Sequence, residues 1–394
     1  MTSKIRFISL LMGCLLLLCP LAVQAQEQDN QKSPQPPVNH AQAIALIDVT
    51  SGRILYEHHG NEELPIASLT KIMTAIVAIE QGKLSDKVKV GRASYGKEGS
   101  SIYLHLGEEM TLENMLYGLM LRSGNDAASA IAEHVGGSED GFVRLMNEKA
   151  SLLGLAHSQF QNPHGLDAKN HYSSAIDLAK LTAYAMHNPN FKEIVKTPVK
   201  QAPNPNDPWD YKWINKNKML RFYEGADGVK TGFTKIARRC LVSSATRNGQ
   251  QLVVVTINDG DDWNDHRKLL DYGFAHFPLV EIIKRGQTLQ SGIVAGTGFK
   301  YALTPEESKQ IGKNLVLQDE NEVSFGKRGE LHILIDQHPI GKIPVYKRGS
   351  IPPLSKQYQQ VYSTGGLQPD WFTSFQQALR SLLFSGIRGR SRFG

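Results

Sequence analysis

The sequence predicts an α+β fold: an antiparallel sheet packed with helices, then a small β-rich domain and a C-terminal amphipathic helix. Three observations predict it. Between residues 38 and 278, runs of strand composition stand on both sides of a helical block, an order that pairs the outer strands into one antiparallel sheet with helices on it. After Pro278 the apolar or alternating runs are short and separated by Gly, Asn, Asp and Pro, as in a small β domain. Near the C-terminus Trp371, Phe372, Phe375, Leu379, Leu382, Leu383 and Phe384 fall on one side of a helix.

Residues 1–25 read as a secretory signal, with Lys4 and Arg6, an apolar stretch over residues 7–18, and Val23-Gln24-Ala25 before the cleavage point. A lipoprotein signal on Cys14 fits less well, because the apolar run continues past it and Met12 is a poor match. Residues 26–37 are polar and contain Pro, a flexible linker. The domain proper spans residues 38–278. Its first strand is Ile44-Ala45-Leu46-Ile47-Asp48, and the apolar segment from Lys71 to Ile79 is long enough for a buried helix. Thr111 is a plausible N-cap for a second buried helix through Leu121, which breaks at Ser123-Gly124-Asn125 before helical composition resumes at Ala127. A further helix begins at Ser174, with Asp177 as its capping-box partner. Strand patterns then run over residues 227–234, 240–245 and 252–257, the last two joined by the turn Arg247-Asn248-Gly249. Residues 279–352 form the β-rich domain, with strands expected near 280–283, 292–294, 313–317, 331–335 and 342–346, and residues 353–394 hold a linker and the amphipathic helix.

The charge distribution excludes one class of partner. The formal net charge is +6; removing Lys4 and Arg6 with the signal leaves +4, and Arg380, Arg388, Arg390 and Arg392 in the acid-free tail account for all of it. The body is formally neutral, so nucleic acid is not expected as a partner. The tail suits a helix lying in the plane of an anionic membrane surface, being too short and interrupted to span one. Cys14 and Cys19 lie in the signal, which leaves Cys240 in the mature chain, read as a buried structural thiol with no disulfide partner. His58-His59, and His164 with His171, lack the ligands of a zinc site, and Asp259-Gly260-Asp261-Asp262 lacks the spaced loop of a calcium site. No metal and no organic cofactor are expected.

Three strings carry chemistry: Ser68-Leu69-Thr70-Lys71, Ser123-Gly124-Asn125 and Lys230-Thr231-Gly232. Alone, each reads as ordinary structure: a helix cap with a snorkelling lysine, a polar turn, a surface hairpin. In order along one chain they fit the nucleophile, proton shuttle and substrate clamp of an active-site serine acyltransferase. Ser68 needs a base to take its proton, and Lys71, one helical turn on, meets that need if burial keeps its amine neutral. Ser123 is placed to relay a proton and Asn125 to orient the substrate. Lys230 and Thr231 supply charge and a hydroxyl for a carboxylate, and Gly232 lets a peptide approach an edge strand.

With these strings the chain resembles the low-molecular-mass penicillin-binding proteins, serine-type D-alanyl-D-alanine carboxypeptidases. Supporting segments are Ile44 to Asp48 with Thr50-Ser51-Gly52-Arg53, Asn162-Pro163-His164-Gly165-Leu166-Asp167, and Asn215-Lys216-Asn217. The resemblance implies the penicillin-binding/β-lactamase-like transpeptidase fold and an oxyanion hole made by the backbone N–H groups of Ser68 and Phe233. It implies removal of the terminal D-Ala from peptidoglycan stem pentapeptides through an acyl-enzyme, with β-lactam antibiotics as covalent inhibitors. It also implies action at the outer face of the bacterial cytoplasmic membrane. Two departures stand out: Arg238 where a glycine is expected before Arg239-Cys240, and Gly124 where the commonest form has Asp or Ala. Rival readings are a D,D-endopeptidase, a slow β-lactamase and a non-catalytic penicillin-sensing wall protein. Rapid β-lactam hydrolysis is not expected, since Ser158-Gln159-Phe160-Gln161-Asn162 contains no Glu to activate water.

Overall fold

A computed structural model of the chain describes residues 35–318 and 326–353. The expected signal segment, most of the linker after it and the C-terminal amphipathic helix lie outside the described residues.

The first hairpin pairs β1 (Ala41–Asp48) with β2 (Ile54–His58). The helical block follows. It comprises α1 (Lys71–Gln81), the short ribbon β3 (Lys87–Lys89) with β4 (Glu109–Thr111), then α2 (Leu112–Tyr117), α3 (Asn125–Gly136), α4 (Glu139–Leu152), α5 (Ala175–Ala185) and α6 (Pro189–Lys196). A second ribbon, β5 (Val199–Ala202) with β6 (Tyr211–Ile214), and the single turn α7 (Met219–Phe222) lead to β7 (Ala226–Thr234), β8 (Arg238–Arg247) and β9 (Gln250–Asp259). These close one antiparallel five-stranded sheet in the order β2-β1-β9-β8-β7. α8 (Asp262–His276) follows β9 and packs on the sheet.

The sequence explains the order. β9 carries Leu252, Val253, Val254 and Val255, all fully buried, and a strand apolar on both faces belongs mid-sheet with both faces covered. β7 alternates with glycines and polar residues and takes an edge, as expected of Gly232. α1 is buried at every position from Lys71 to Ile79, so it runs through the core. The β8–β9 turn has positive φ at Asn248 (50°) and Gly249 (78°), the geometry that favours Asn-Gly in a tight hairpin.

Two local expectations are corrected. The second buried helix does not run regularly to Leu121: α2 ends at Tyr117 and the chain widens into a π-helical segment, Gly118–Arg122. Ser174 caps α5 by accepting from the Asp177 N–H (3.2 Å), but the Asp177 carboxylate does not complete a capping box. It accepts instead from the His157 N–H (2.8 Å) and the Ser158 hydroxyl (2.8 Å), because a buried carboxylate gains more from two loop donors than from one strained return bond.

After α8 come β10 (Leu279–Ile283), β11 (Thr288–Gln290), β12 (Ile293–Ala295), β13 (Phe299–Ala302), the turn α9 (Pro305–Ser308), β14 (Ile311–Leu317), β15 (Lys327–Ile335) and β16 (His338–Lys347). A second five-stranded sheet has the order β11-β12-β16-β15-β14, while β10 pairs with β13. Each of the five strand runs expected after Pro278 overlaps a strand here; β11, β13 and α9 add to them. Its apolar core includes Ile283, Phe299, Leu331, Ile333, Ile343 and Val345.

Candidate active site

Ser68 sits in a 3-10 turn, Ala67–Thr70, directly ahead of α1. Ala67 before it has φ +48°, a left-handed conformation that a non-glycine residue holds only when its surroundings enforce it. The loop 162–167 supplies those surroundings. Gly165, at φ +86°, packs so closely on the Ala67 carbonyl that a Cβ there would lie 1.9 Å from the oxygen. The Thr70 hydroxyl donates to the same carbonyl (2.9 Å) and faces His171 Nε2 at 2.8 Å. Because the Gln161 N–H donates to His171 Nδ1 (3.0 Å), the ring proton belongs on Nε2. Burial above all pushes the His171 imidazole down to about 4, so it is neutral.

Lys71 is fully buried. Its Nζ lies 3.0 Å from Ser68 Oγ, 2.7 Å from Asn125 Oδ1 and 2.5 Å from the His164 carbonyl oxygen. A neutral amine has two N–H donors and one lone pair. Asn125 Oδ1 and the His164 carbonyl can only accept, so they take the two donors and leave the lone pair to the Ser68 hydroxyl. The electrostatics favour this state: burial first, then the positive charges of Lys230 and Lys216, hold Lys71 well below the usual lysine range, opposed by Asp126. An amine placed this way can accept the serine proton.

The π-helical segment ends at Ser123, φ +66°, and Asn125 then opens α3. Ser123 Oγ accepts from Lys230 Nζ (3.0 Å), which also donates to the Thr231 carbonyl (2.7 Å). Lys230 is 1% exposed, and burial, then Lys216, lower it to about 7. Asn125 spans the cleft floor: its Oδ1 accepts from Lys71 and its Nδ2 donates to the Glu98 carbonyl (2.6 Å). Asp126, buried beside it, accepts from the Ser101 hydroxyl (2.6 Å) and from the N–H groups of Ile102 (3.1 Å) and Leu104 (3.1 Å). That carboxylate fixes the loop 100–104 as one wall. A Cβ on Gly124 would meet Asp126 Oδ1 at 2.8 Å, so a side chain there would require the Asp126 carboxylate to shift.

The third string lies on the edge strand β7. Alternation puts Lys230, Gly232 and Thr234 on one face, with Thr231 and Phe233 on the other. The first face meets the other two strings. Lys230 bonds Ser123, and a Cβ on Gly232 would stand 3.3 Å from the Ser68 nitrogen. Phe233 is 63% exposed. The structure therefore brings Ser68, Lys71, Ser123, Asn125, Lys230 and Gly232 together, while the Thr231 and Phe233 side chains point to the other face of β7.

Sequence reading alone missed the supporting acceptors and charges: the His164 and Glu98 carbonyls, Asp126 and Lys216. Lys216 lies beside Ser100 (Nζ to Oγ 3.2 Å) and is itself lowered by burial and by Arg122. Arg238, the first departure, has φ +59° with its side chain exposed, so it occupies a conformation suited to glycine. Cys240 is 1% exposed and burial pushes its thiol up to about 12, an inert packing group. Among the described residues His40, Asp261 and Asp265 stand close enough together to hold a cation. Asp265 is already bonded by the His40 N–H (2.7 Å), the His40 ring (2.9 Å) and Lys268 (3.1 Å), so its charge is met by protein donors.

Comparison with known proteins identifies the family. The family described as D-alanyl-D-alanine carboxypeptidase matches residues 30–261. The D-alanyl-D-alanine carboxypeptidase DacF of Bacillus subtilis is 36% identical over 289 residues, 71% of this chain and 74% of its own. DacC of Escherichia coli, of the same description, is 34% identical over 292 residues, 70% of each chain. Among solved structures, penicillin binding protein 5 from Haemophilus influenzae superposes with TM-score 0.68 at 26% identity, covering 81% of this chain and 99% of its own. Penicillin binding protein 6B from Escherichia coli gives TM-score 0.65 at 29% identity, over 79% and 97%.

Proposed function

Because the chain belongs to the family of serine-type D-alanyl-D-alanine carboxypeptidases, we propose that it removes the terminal D-Ala from peptidoglycan stem pentapeptides through an acyl-enzyme on Ser68. The observation that carries this reading is the hydrogen-bond set of Lys71, which leaves its lone pair for Ser68 Oγ. Ser68 Oγ attacks the penultimate D-Ala carbonyl carbon as Lys71 takes its proton. The oxyanion accepts from the Ser68 and Phe233 N–H groups. The C–N bond then breaks, and the departing amine receives a proton through Ser123, whose hydroxyl is bonded to Lys230. Lys230 and Thr231 hold the terminal carboxylate, while Asn125 and the β7 edge at Gly232 align the peptide. Water, deprotonated by Lys71, adds to the ester, releasing the shortened peptide and restoring the Ser68 hydroxyl.

A β-lactam presents the same carboxylate and a strained amide, so it acylates Ser68 and leaves slowly. Mass spectrometry tests both steps. Wild type is expected to convert pentapeptide to tetrapeptide plus D-Ala and to gain one penicillin mass, and Ser68→Ala to do neither. Pentapeptide left intact, or a penicillin adduct on Ser68→Ala, sinks the proposal.

The family's action on the cell wall places its work outside the cytoplasm. Among the described residues no helix is long and apolar enough to cross a membrane. We assign catalysis to residues 38–278, a spacer role to 279–352 and peripheral membrane attachment to the amphipathic segment after Asp370, on its one-sided apolar pattern and its arginines. Deleting residues 371–394 should move the protein from the membrane to the soluble fraction; a truncated protein still held on membranes rules the anchor out.

A further inference from the structure

The nucleophile-facing side of β7 works as a ruler. Lys230, Gly232 and Thr234 point the same way at two-residue intervals, about 7 Å apart. Opposite Lys230 stands Ser123, opposite Gly232 stands Ser68, and opposite Thr234 stands Asp167, whose Oδ1 accepts from the Thr234 hydroxyl at 3.0 Å. Asp167 is exposed at the cleft rim, and among the described residues the partner it has is a neutral hydroxyl rather than a cation. The loop that carries it is fixed against the nucleophile turn by Gly165 on the Ala67 carbonyl and by the Thr74 hydroxyl on the Pro163 carbonyl (2.6 Å). The Thr234 hydroxyl also accepts from the Ala237 N–H (2.9 Å), which steadies its side of the contact.

A peptide added to the β7 edge with its terminal carboxylate at Lys230 and Thr231 runs antiparallel to the strand. Its scissile carbonyl then lies at Gly232, and the residue before the penultimate D-Ala lies toward Thr234. We infer that Asp167 recognises an amine at the end of that residue's side chain, so that the site favours stem peptides with a diamino acid at the third position. An extended acyl donor advances about 3.4 Å per residue, and a straight aliphatic side chain ending in an ammonium spans what remains to a rim carboxylate. The inference rests on the carboxypeptidase reading and adds a subsite to it.

The test compares Nα-acetyl-L-Lys-D-Ala-D-Ala, whose side-chain amine is free, with the Nα,Nε-diacetyl peptide, reading D-Ala release. Wild type is expected to favour the free amine in kcat/KM by about fivefold, the upper range for an exposed ion pair, and the preference should shrink as salt is added. Asp167→Asn should bring the ratio to near one, and Asp167→Lys should invert it, a change of sign that loss of folded protein cannot produce. Equal kcat/KM for the two peptides in wild type, or a preference that survives in Asp167→Asn, overturns the subsite while leaving the carboxypeptidase reading intact. No D-Ala release from either peptide overturns both.

Discussion

Two lysines share one buried cleft, and they cannot serve the same chemistry in the same charge state. Lys71 has two fixed acceptors and a hydroxyl around it, which suits a neutral amine. Lys230 has the Ser123 hydroxyl and a carbonyl, which suits an ammonium waiting for a carboxylate. Because Lys230 is lowered to about 7, its charge in the free enzyme is lost as pH rises through that value. The kcat/KM profile should therefore have an alkaline limb near neutrality. Lys230→Arg should remove that limb, since a guanidinium stays charged; a limb unmoved in this variant would assign it to another group. The same depression has a sign for stability. Above about 7 the folded state has released the Lys230 proton while the unfolded chain keeps it up to the ordinary value of 10.5, so stability contributed through this group rises with pH across that window.

At the scale of elements, the site was legible wherever it follows a local period. Ser68 and Lys71 are one helical turn apart, and Lys230 and Gly232 alternate along a strand, so once the three strings are taken together their local spacing suggests which side chains face each other. The groups that tune them were not legible, because their contacts join distant segments without any period. The His164 carbonyl reaches Lys71 across 93 positions, and the sequence shows Asp126 only as part of the break before Ala127, with nothing to mark it as the anchor of the loop 100–104. The π-helical segment before Ser123 was missed for a related reason: its apolar spacing is that of any buried helix. Gly165 shows how one element sets another. A Cβ would drive into the Ala67 carbonyl at a φ of +86° that alanine resists. Gly165→Ala should lower stability by roughly 1–3 kcal/mol and slow penicillin acylation of Ser68 by more than tenfold through displacement of its turn. Thermal melts and acylation rates measured together check this; a variant that acylates at the wild-type rate would show that the loop does not set the nucleophile.

At the scale of the whole molecule, Arg53, in the turn of the β1–β2 hairpin, joins the first sheet to β13 and α9 of the β-rich part. Its guanidinium grips Glu307 with two bonds (2.7 and 2.6 Å), donates to the Ala302 carbonyl (2.8 Å), and lies 5.6 Å from the ring centres of both Phe277 and Tyr301. Glu307 is committed twice, since its carboxylate also accepts from the Thr304 N–H (2.9 Å) in the capping box that opens α9. Arg53 and Glu307 are only 20% and 24% exposed, so their attraction is less screened than that of a surface pair. Removing the cation leaves a half-buried carboxylate and a carbonyl short of a donor, at a cost of roughly 2 kcal/mol. Calorimetry of Arg53→Met, which keeps apolar bulk over the two rings, should show the transition split, with the β-rich part melting about 10 °C lower. Ser68 and its partners lie on other elements, so penicillin acylation at 25 °C should stay within about twofold of wild type, since distant sites act nearly independently. A single undivided transition in the variant would mean that the two parts cohere without the Arg53 contact; a large loss of acylation would mean that the hairpin communicates with the cleft through the strands it shares with β9.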